Sequence, residues 1–110
     1  MESVTSIEDY QKQLDSESAV LVYFSHERCN VCKVLKPKVA ELLHQNFPKI
    51  KQLYCNTELN PEIAGAHSVF AVPTLLIYFE GRETFRFSRN IGLGELEAAL
   101  ERPYKLYFQP

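Results

Sequence analysis

Two cysteines separated by two residues, Cys29 and Cys32, carry the clearest capacity for chemistry in this chain of 110 residues. Such a pair can pass between a dithiol and a disulfide, and the thiolate is the form that attacks another sulfur. An apolar run over residues 19–24 predicts a buried strand before the pair, and apolar residues at helical spacing predict a helix after it. A helix N-terminus stabilises a nearby thiolate. We therefore predict Cys29 as the nucleophile and Cys32 as the resolving thiol, the alternative for Cys29 being an inert, half-buried thiol.

The other cysteine and the histidines raise the question of a metal site. Cys55 ends a predicted strand, and we expect it in the core because free cysteine is among the most buried residue types. His26 stands three residues before Cys29, so it could complete a zinc set with the three cysteines. Zinc motifs usually show two close-spaced ligand pairs, however, and Cys55 and His67 have no such neighbour. We predict no metal site, and we expect His44 and His67 to be solvated.

Length and composition limit the kinds of protein that this chain can be. A chain of 110 residues with 45% hydrophobic and 24% charged residues predicts one soluble globular domain over residues 1–110. The net charge of −2 gives no reason to expect a nucleic acid or an anionic membrane as partner. No apolar run approaches the roughly 20 residues of a membrane span, and the acidic residues 1–9 lack the apolar region of a signal peptide, so we expect none. An odd number of cysteines without an export signal favours a reducing compartment, which we expect to be the cytoplasm.

The remaining elements alternate along the chain. Apolar runs predict further strands over residues 50–55, 74–79 and 83–88, and a short edge strand near residues 3–5. Capping and periodicity predict helices from Ser6, from residue 30 to 45 with a kink at Pro37, from Asn60 and from residue 93 to 101, where Pro103 stops the last one. This order predicts an α/β fold, a mixed sheet flanked by helices on both faces.

These residues together resemble the thioredoxin family, from Val4 to Glu101. The resemblance rests on five motifs: Tyr23-Phe24 before Cys29-Asn-Val-Cys32, Pro37 five residues later, Asn60-Pro61, Ala71-Val-Pro-Thr74, and Glu80-Gly81 in the predicted hairpin. It implies the thioredoxin fold, with Pro73 in a cis peptide bond against the disulfide.

The resemblance also implies a function. It implies a thiol–disulfide oxidoreductase that acts on protein disulfides, with Val72 and Pro73 presenting backbone to the substrate chain. We expect no bound cofactor. The electrons are expected from a thioredoxin reductase or from a low-molecular-weight thiol.

The chain departs from the family pattern at several site positions. Arg28 replaces the usual tryptophan before the first cysteine, and Tyr23 replaces a buried aspartate that is thought to move a proton from the resolving cysteine. The lysine partner of that aspartate aligns with Tyr54, and the glycine that lines the substrate groove aligns with Arg89. We expect Arg28 to favour the thiolate of Cys29. Both arginines would give a positive rim that binds acidic partner segments, unless they are ordinary surface charges.

The tail over residues 102–110 lies beyond the usual end of the family. Tyr104, Leu106 and Phe108 alternate there, which predicts a strand with one apolar face. This face either packs back onto the domain or contacts a partner, including a second copy of the chain in a homodimer. The second function that we consider is therefore an interaction module in which the tail is the working surface and the redox-competent cysteines are incidental.

Overall fold

The structure, a computed structural model, describes residues 1–109 and contains one mixed sheet of five strands. The strands are β1 Glu2–Ser3, β2 Ala19–Ser25, β3 Lys51–Asn56, β4 Thr74–Phe79 and β5 Arg82–Ser88. They lie in the order β1-β3-β2-β4-β5. The pairs among β1, β3 and β2 are parallel, whereas β4 runs antiparallel to β2 and to β5. The predicted mixed sheet is confirmed.

Four helices cover both faces of the sheet. They are α1 Ile7–Ser16, α2 Asn30–Asn46, α3 Pro61–Ala66 and α4 Leu93–Phe108. The central strand β2 is buried along its whole length because its successive side chains enter two different cores, one on each face of the sheet. Leu21 and Tyr23 face the core made with α2 and α4, whereas Val22 and Phe24 face the core made with α1 and α3. The continuous apolar run over residues 19–24 follows from this double burial.

Local signals placed most of the helix starts correctly. Ser6 caps α1, and its hydroxyl oxygen accepts the amide of Asp9 at 3.0 Å. Helix α2 continues through Pro37, as predicted. Asn60 occupies the N-cap position of α3, but its side chain donates to the carbonyl of Asn56 and makes no cap hydrogen bond.

A tight hairpin joins β4 to β5. Glu80 and Gly81 have φ angles of 53° and 76°, so both residues of the turn are left-handed. Two left-handed residues make the type I′ turn that matches the twist of the flanking strands. The predicted Glu80-Gly81 hairpin is confirmed, and it returns the chain along β4 towards the residues that precede Thr74.

The predicted stop of the last helix at Pro103 is wrong. Helix α4 continues through Pro103 to Phe108, so the tail is helical and does not form the predicted strand. The ring of Tyr104 is buried edge-on against Phe47, with ring centroids 5.2 Å apart, and its hydroxyl accepts the amide of Lys49 at 3.1 Å. These contacts offset the single helix hydrogen bond that a proline removes. The tail therefore packs back onto the domain, and its last residue, Pro110, lies outside the described residues.

Within residues 1–109, every helix is too short or too polar to cross a bilayer.

Candidate active site

The cysteine pair lies where β2 passes into α2. Cys29 is the N-cap residue of α2, and its sulfur accepts the amide of Cys32 at 3.2 Å. A disulfide joins the two residues, whose Cα atoms are 5.2 Å apart. Cys32 is buried and Cys29 is half-buried, so the first sulfur is the more accessible of the two. This is the helix-terminus position that we predicted for Cys29.

The loop before β4 lies at the same edge of the sheet. Phe24, near the end of β2, pairs with Thr74, the first residue of β4, so the segments that follow β2 and precede β4 are neighbours. The peptide bond between Val72 and Pro73 is cis, as the family resemblance implied. Val72 and Cys29 pack on the same apolar core. Within residues 1–109, the backbone amide and carbonyl of Val72 have no hydrogen-bond partner, so they are free to pair with another chain.

Arg28 is held by an acidic residue far away in the sequence. Two guanidinium nitrogens, Nε and Nη2, contact the same carboxylate oxygen of Glu58, with Nε 2.8 Å from Oε2. Hydrogen bonding in this pair lowers the pKa of Glu58 and raises the pKa of Arg28. His26 lies at the edge of the pair, with its Nδ1 3.9 Å from Glu58. The carboxylate offsets the charge that we expected Arg28 to offer to Cys29 and to a positive rim.

Arg89 lies beside the free backbone of the loop. Its amide donates to the carbonyl of Pro73 at 2.8 Å, directly after Ser88 pairs with Thr74. Its φ of 66° is in the left-handed region, which costs a residue with a Cβ about 1 kcal/mol. Within residues 1–109 its exposed side chain forms no ion pair. Of the two arginines, Arg89 therefore offers the uncompensated charge.

The buried side of the pair is built from tyrosines. Tyr23 is fully buried, and its phenol donates to the carbonyl of Cys32 at 2.7 Å. Burial, with a smaller contribution from Tyr54, raises the pKa of Tyr23 to about 12. Tyr54 pairs with Tyr23 across β2 and β3, and the ammonium of Lys36 lies 3.7 Å from the centroid of the Tyr54 ring. The buried aspartate and lysine of the family pattern are thus replaced by two tyrosines, Tyr23 and Tyr54, and Lys36 of α2 contacts the second of them.

Glu58 and Lys36 are two residues of this site that were not predicted from the sequence. Glu58 is 30 residues from Arg28, and no local pattern links the two. Lys36 could have been found, because it follows Cys32 by four residues and so shares its face of α2.

The third cysteine and two of the histidines take no part in the site around Cys29 and Cys32. Cys55 is buried in the core with α1 and α3, as predicted, and burial raises its pKa to about 12. His44 is exposed, as expected. The expectation for His67 is wrong, because its ring is half-buried and stacks on Tyr10 with centroids 4.1 Å apart. Among the described residues, no three histidine, cysteine or acidic side chains are grouped to hold a metal ion.

Comparisons with known proteins agree with this geometry. The family model for thioredoxin matches residues 2–102. The thioredoxin-like protein YdfQ of Bacillus subtilis is 37% identical over 107 residues, which cover 97% of this chain and 92% of that protein. The thioredoxin of Synechocystis sp. is 38% identical over 89 residues, covering 81% and 83% of the two chains.

Solved structures support the same fold. The thioredoxin of Fasciola hepatica superimposes with a TM-score of 0.84 at 26% identity and covers 93% of this chain and 98% of its own. Oxidised mitochondrial thioredoxin 3 from Saccharomyces cerevisiae gives a TM-score of 0.78 at 22% identity, with coverages of 96% and 93%. The predicted thioredoxin fold is confirmed. The chain belongs to the thioredoxin family, and it is a thiol–disulfide oxidoreductase whose CxxC pair is Cys29 and Cys32.

Proposed function

We propose that this chain reduces disulfide bonds in protein substrates, with Cys29 as the attacking residue and Cys32 as the resolving residue. The observation that carries the proposal is the position of Cys29 at the N-cap of α2, within disulfide-bonding distance of Cys32. The N–H groups and the dipole at this terminus favour a thiolate at Cys29. Cys32 is buried, and its sulfur needs to reach only the sulfur of Cys29.

The reaction proceeds through two exchanges. The thiolate of Cys29 attacks one sulfur of the substrate disulfide, a mixed disulfide forms, and the other substrate sulfur leaves as a thiolate. The thiolate of Cys32 then attacks the sulfur of Cys29 and releases the second substrate thiolate. The substrate gains two electrons and, after protonation, two hydrogens, while Cys29 and Cys32 become a disulfide.

The loop before β4 is the proposed docking site for the substrate chain. An extended segment can hydrogen-bond to the free amide and carbonyl of Val72, as chains do when they add to an exposed strand. Pro73 follows and is itself buried, so it limits how deeply the segment can lie. An open groove of about 360 Å³ borders Val72 and is also lined by His26, Thr57 and Phe70. A substrate side chain next to the reacting cysteine fits there.

The source of electrons and the compartment complete the proposal. We propose that a thioredoxin reductase, or a low-molecular-weight thiol, returns the disulfide to the dithiol. The buried, unpaired Cys55 and the odd number of cysteines suit a reducing compartment such as the cytoplasm. No protein partner other than a disulfide-bearing substrate and a reductase is needed for this cycle.

Reduction of insulin disulfides, with dithiothreitol as the electron donor, tests the proposal. We expect the wild-type chain to accelerate reduction and Cys29→Ser to abolish the acceleration. Reduced Cys32→Ser, freed of dithiothreitol, should trap insulin as a mixed disulfide. Cys55→Ala is the matched control, since it removes a thiol that is buried away from the site, and it should retain turnover. An inactive wild-type chain that is folded by circular dichroism would contradict the proposal and favour the interaction module.

A further inference from the structure

We infer that Arg89 selects substrate segments that carry an acidic side chain close to the reacting cysteine. This inference rests on the proposed function, because it concerns the segment that docks along Val72. It names a substrate class that the cysteine pair alone does not determine.

Arg89 lies against the loop before β4. Its amide donates to the carbonyl of Pro73, so its backbone is anchored to the loop on which the substrate is proposed to dock. Strand pairing ends one residue earlier, between Thr74 and Ser88, so the side chain of Arg89 is not part of the sheet. A substrate segment paired with Val72 therefore runs past Arg89.

The side chain of Arg89, unlike its backbone amide, makes no contribution to the fold. Its left-handed φ of 66° is a conformation that glycine adopts freely and that an arginine adopts only with strain. Its exposed side chain has no hydrogen bond or ion pair within residues 1–109 that would offset this strain. Residues held in such conformations cluster at ligand-binding sites.

The charge around the groove also matters. Arg28 is held by Glu58, and Lys33 lies 3.9 Å from Glu27, so both of these cations face a carboxylate. Glu95, in the first turn of α4, forms no ion pair with Arg89 in the described part of the chain. Arg89 therefore presents an uncompensated cation to a docked segment, and the complementary substrate group is an aspartate or glutamate.

Three disulfide-bonded peptides test the inference. They share one sequence, except that the residue beside the reacting cysteine is aspartate, asparagine or lysine. We expect the wild-type kcat/KM to be about two- to fivefold higher for the aspartate peptide than for the lysine peptide, the range of one exposed ion pair. In Arg89→Gly this ratio of kcat/KM values should fall to about one, and in Arg89→Glu it should fall below one. In Arg89→Lys it should stay close to the wild-type value. Added salt should reduce the wild-type ratio.

Arg82→Glu is the matched control, because it makes the same charge change at the other end of β5, where Arg82 pairs with Phe79. It should keep the wild-type ratio. The inference is overturned if exchange persists but the wild-type ratio is near one. It is also overturned if Arg82→Glu and Arg89→Glu change the ratio equally. Absence of turnover with all three peptides would instead refute the proposed function, and the inference with it.

Discussion

The phenol of Tyr23 donates a hydrogen bond of 2.7 Å to the backbone carbonyl of Cys32. Tyr23 is fully buried, and a pKa of about 12 keeps it protonated near neutral pH. It can therefore hold the first turn of α2, but it cannot take the proton of the Cys32 thiol as a carboxylate would.

The first prediction follows from this missing base. Restoring a carboxylate with Tyr23→Asp should shorten the life of a mixed disulfide on Cys29, because the carboxylate can accept the proton of Cys32. We expect decay at least about tenfold faster than in Tyr23→Asn, which is below the roughly hundredfold that a well-positioned general base contributes. The measurement is release of a chromophoric thiol from the mixed disulfide after rapid mixing.

Tyr23→Asn is the matched control because asparagine has the size of aspartate, leaves the same cavity and cannot act as a base. Equal decay in the two variants would show that proton transfer from Cys32 does not limit resolution.

The second prediction concerns the ion pair at Arg28. Removing its partner with Glu58→Gln should lower the pKa of the Cys29 thiol by a few tenths of a unit, because it removes an anion and leaves Arg28, the residue before Cys29, as an unpaired cation. The pH dependence of alkylation of reduced protein measures this pKa. Glu8→Gln, an exposed change in the first turn of α1, is the control. A pKa of Cys29 that rises or stays constant would contradict the prediction.

The third prediction concerns the thiols of Cys29 and Cys55. In reduced, native protein at neutral pH, alkylation should label Cys29 at least about a hundredfold faster than Cys55. Burial excludes the reagent from Cys55 and raises its pKa to about 12, so almost none of it is thiolate. Mass spectrometry of the labelled peptides gives the rates, and labelling in denaturant should make them similar. Comparable native rates would remove the reason to assign Cys29 as the attacking residue.

The fourth prediction is a loss of stability in acid through His67. Burial against Tyr10 is the main cause that lowers the pKa of His67; the charge of Glu83 opposes this shift, and that of Arg86 adds to it. The unfolded chain therefore binds the proton more readily, so the stabilisation is present above the unfolded pKa of about 6.5 and is lost as pH falls through the lower folded pKa. The free energy of unfolding, measured by urea denaturation, should depend less on pH in His67→Phe, which keeps an aromatic ring on Tyr10. His44→Phe serves as the surface control, and an unaltered pH dependence in His67→Phe would rule out this linkage.

The fifth prediction concerns the helical tail. Tyr104→Ala should lower the free energy of unfolding by about 3–5 kcal/mol, because it removes a buried ring packed on Phe47. Leu106, with 65% of its surface exposed, is the control on the same helix, and Leu106→Ala should change stability by less than about 0.5 kcal/mol. Urea denaturation at several protein concentrations measures both. A concentration-dependent loss in Leu106→Ala would point to a homodimer through the tail.

The sequence by itself determined the features that depend on neighbours along the chain. The apolar run of β2 predicted a doubly buried strand, and Glu80-Gly81 predicted a tight hairpin between two strands. The location of Cys29 at a helix start follows from the same local change of periodicity, from strand to helix. Because each of these signals spans a few residues, no knowledge of the packing was needed.

Tertiary structure decided what depends on residues distant in sequence. Pro103 alone predicts a helix end, and only the burial of Tyr104 on Phe47 carries α4 past it. Arg28 alone predicts a free cation, and only the return of the chain after β3 brings Glu58 to it. The physical reason is that local signals weigh about one hydrogen bond or one capping interaction each, whereas packing contacts of comparable or larger free energy exist only after the elements have docked.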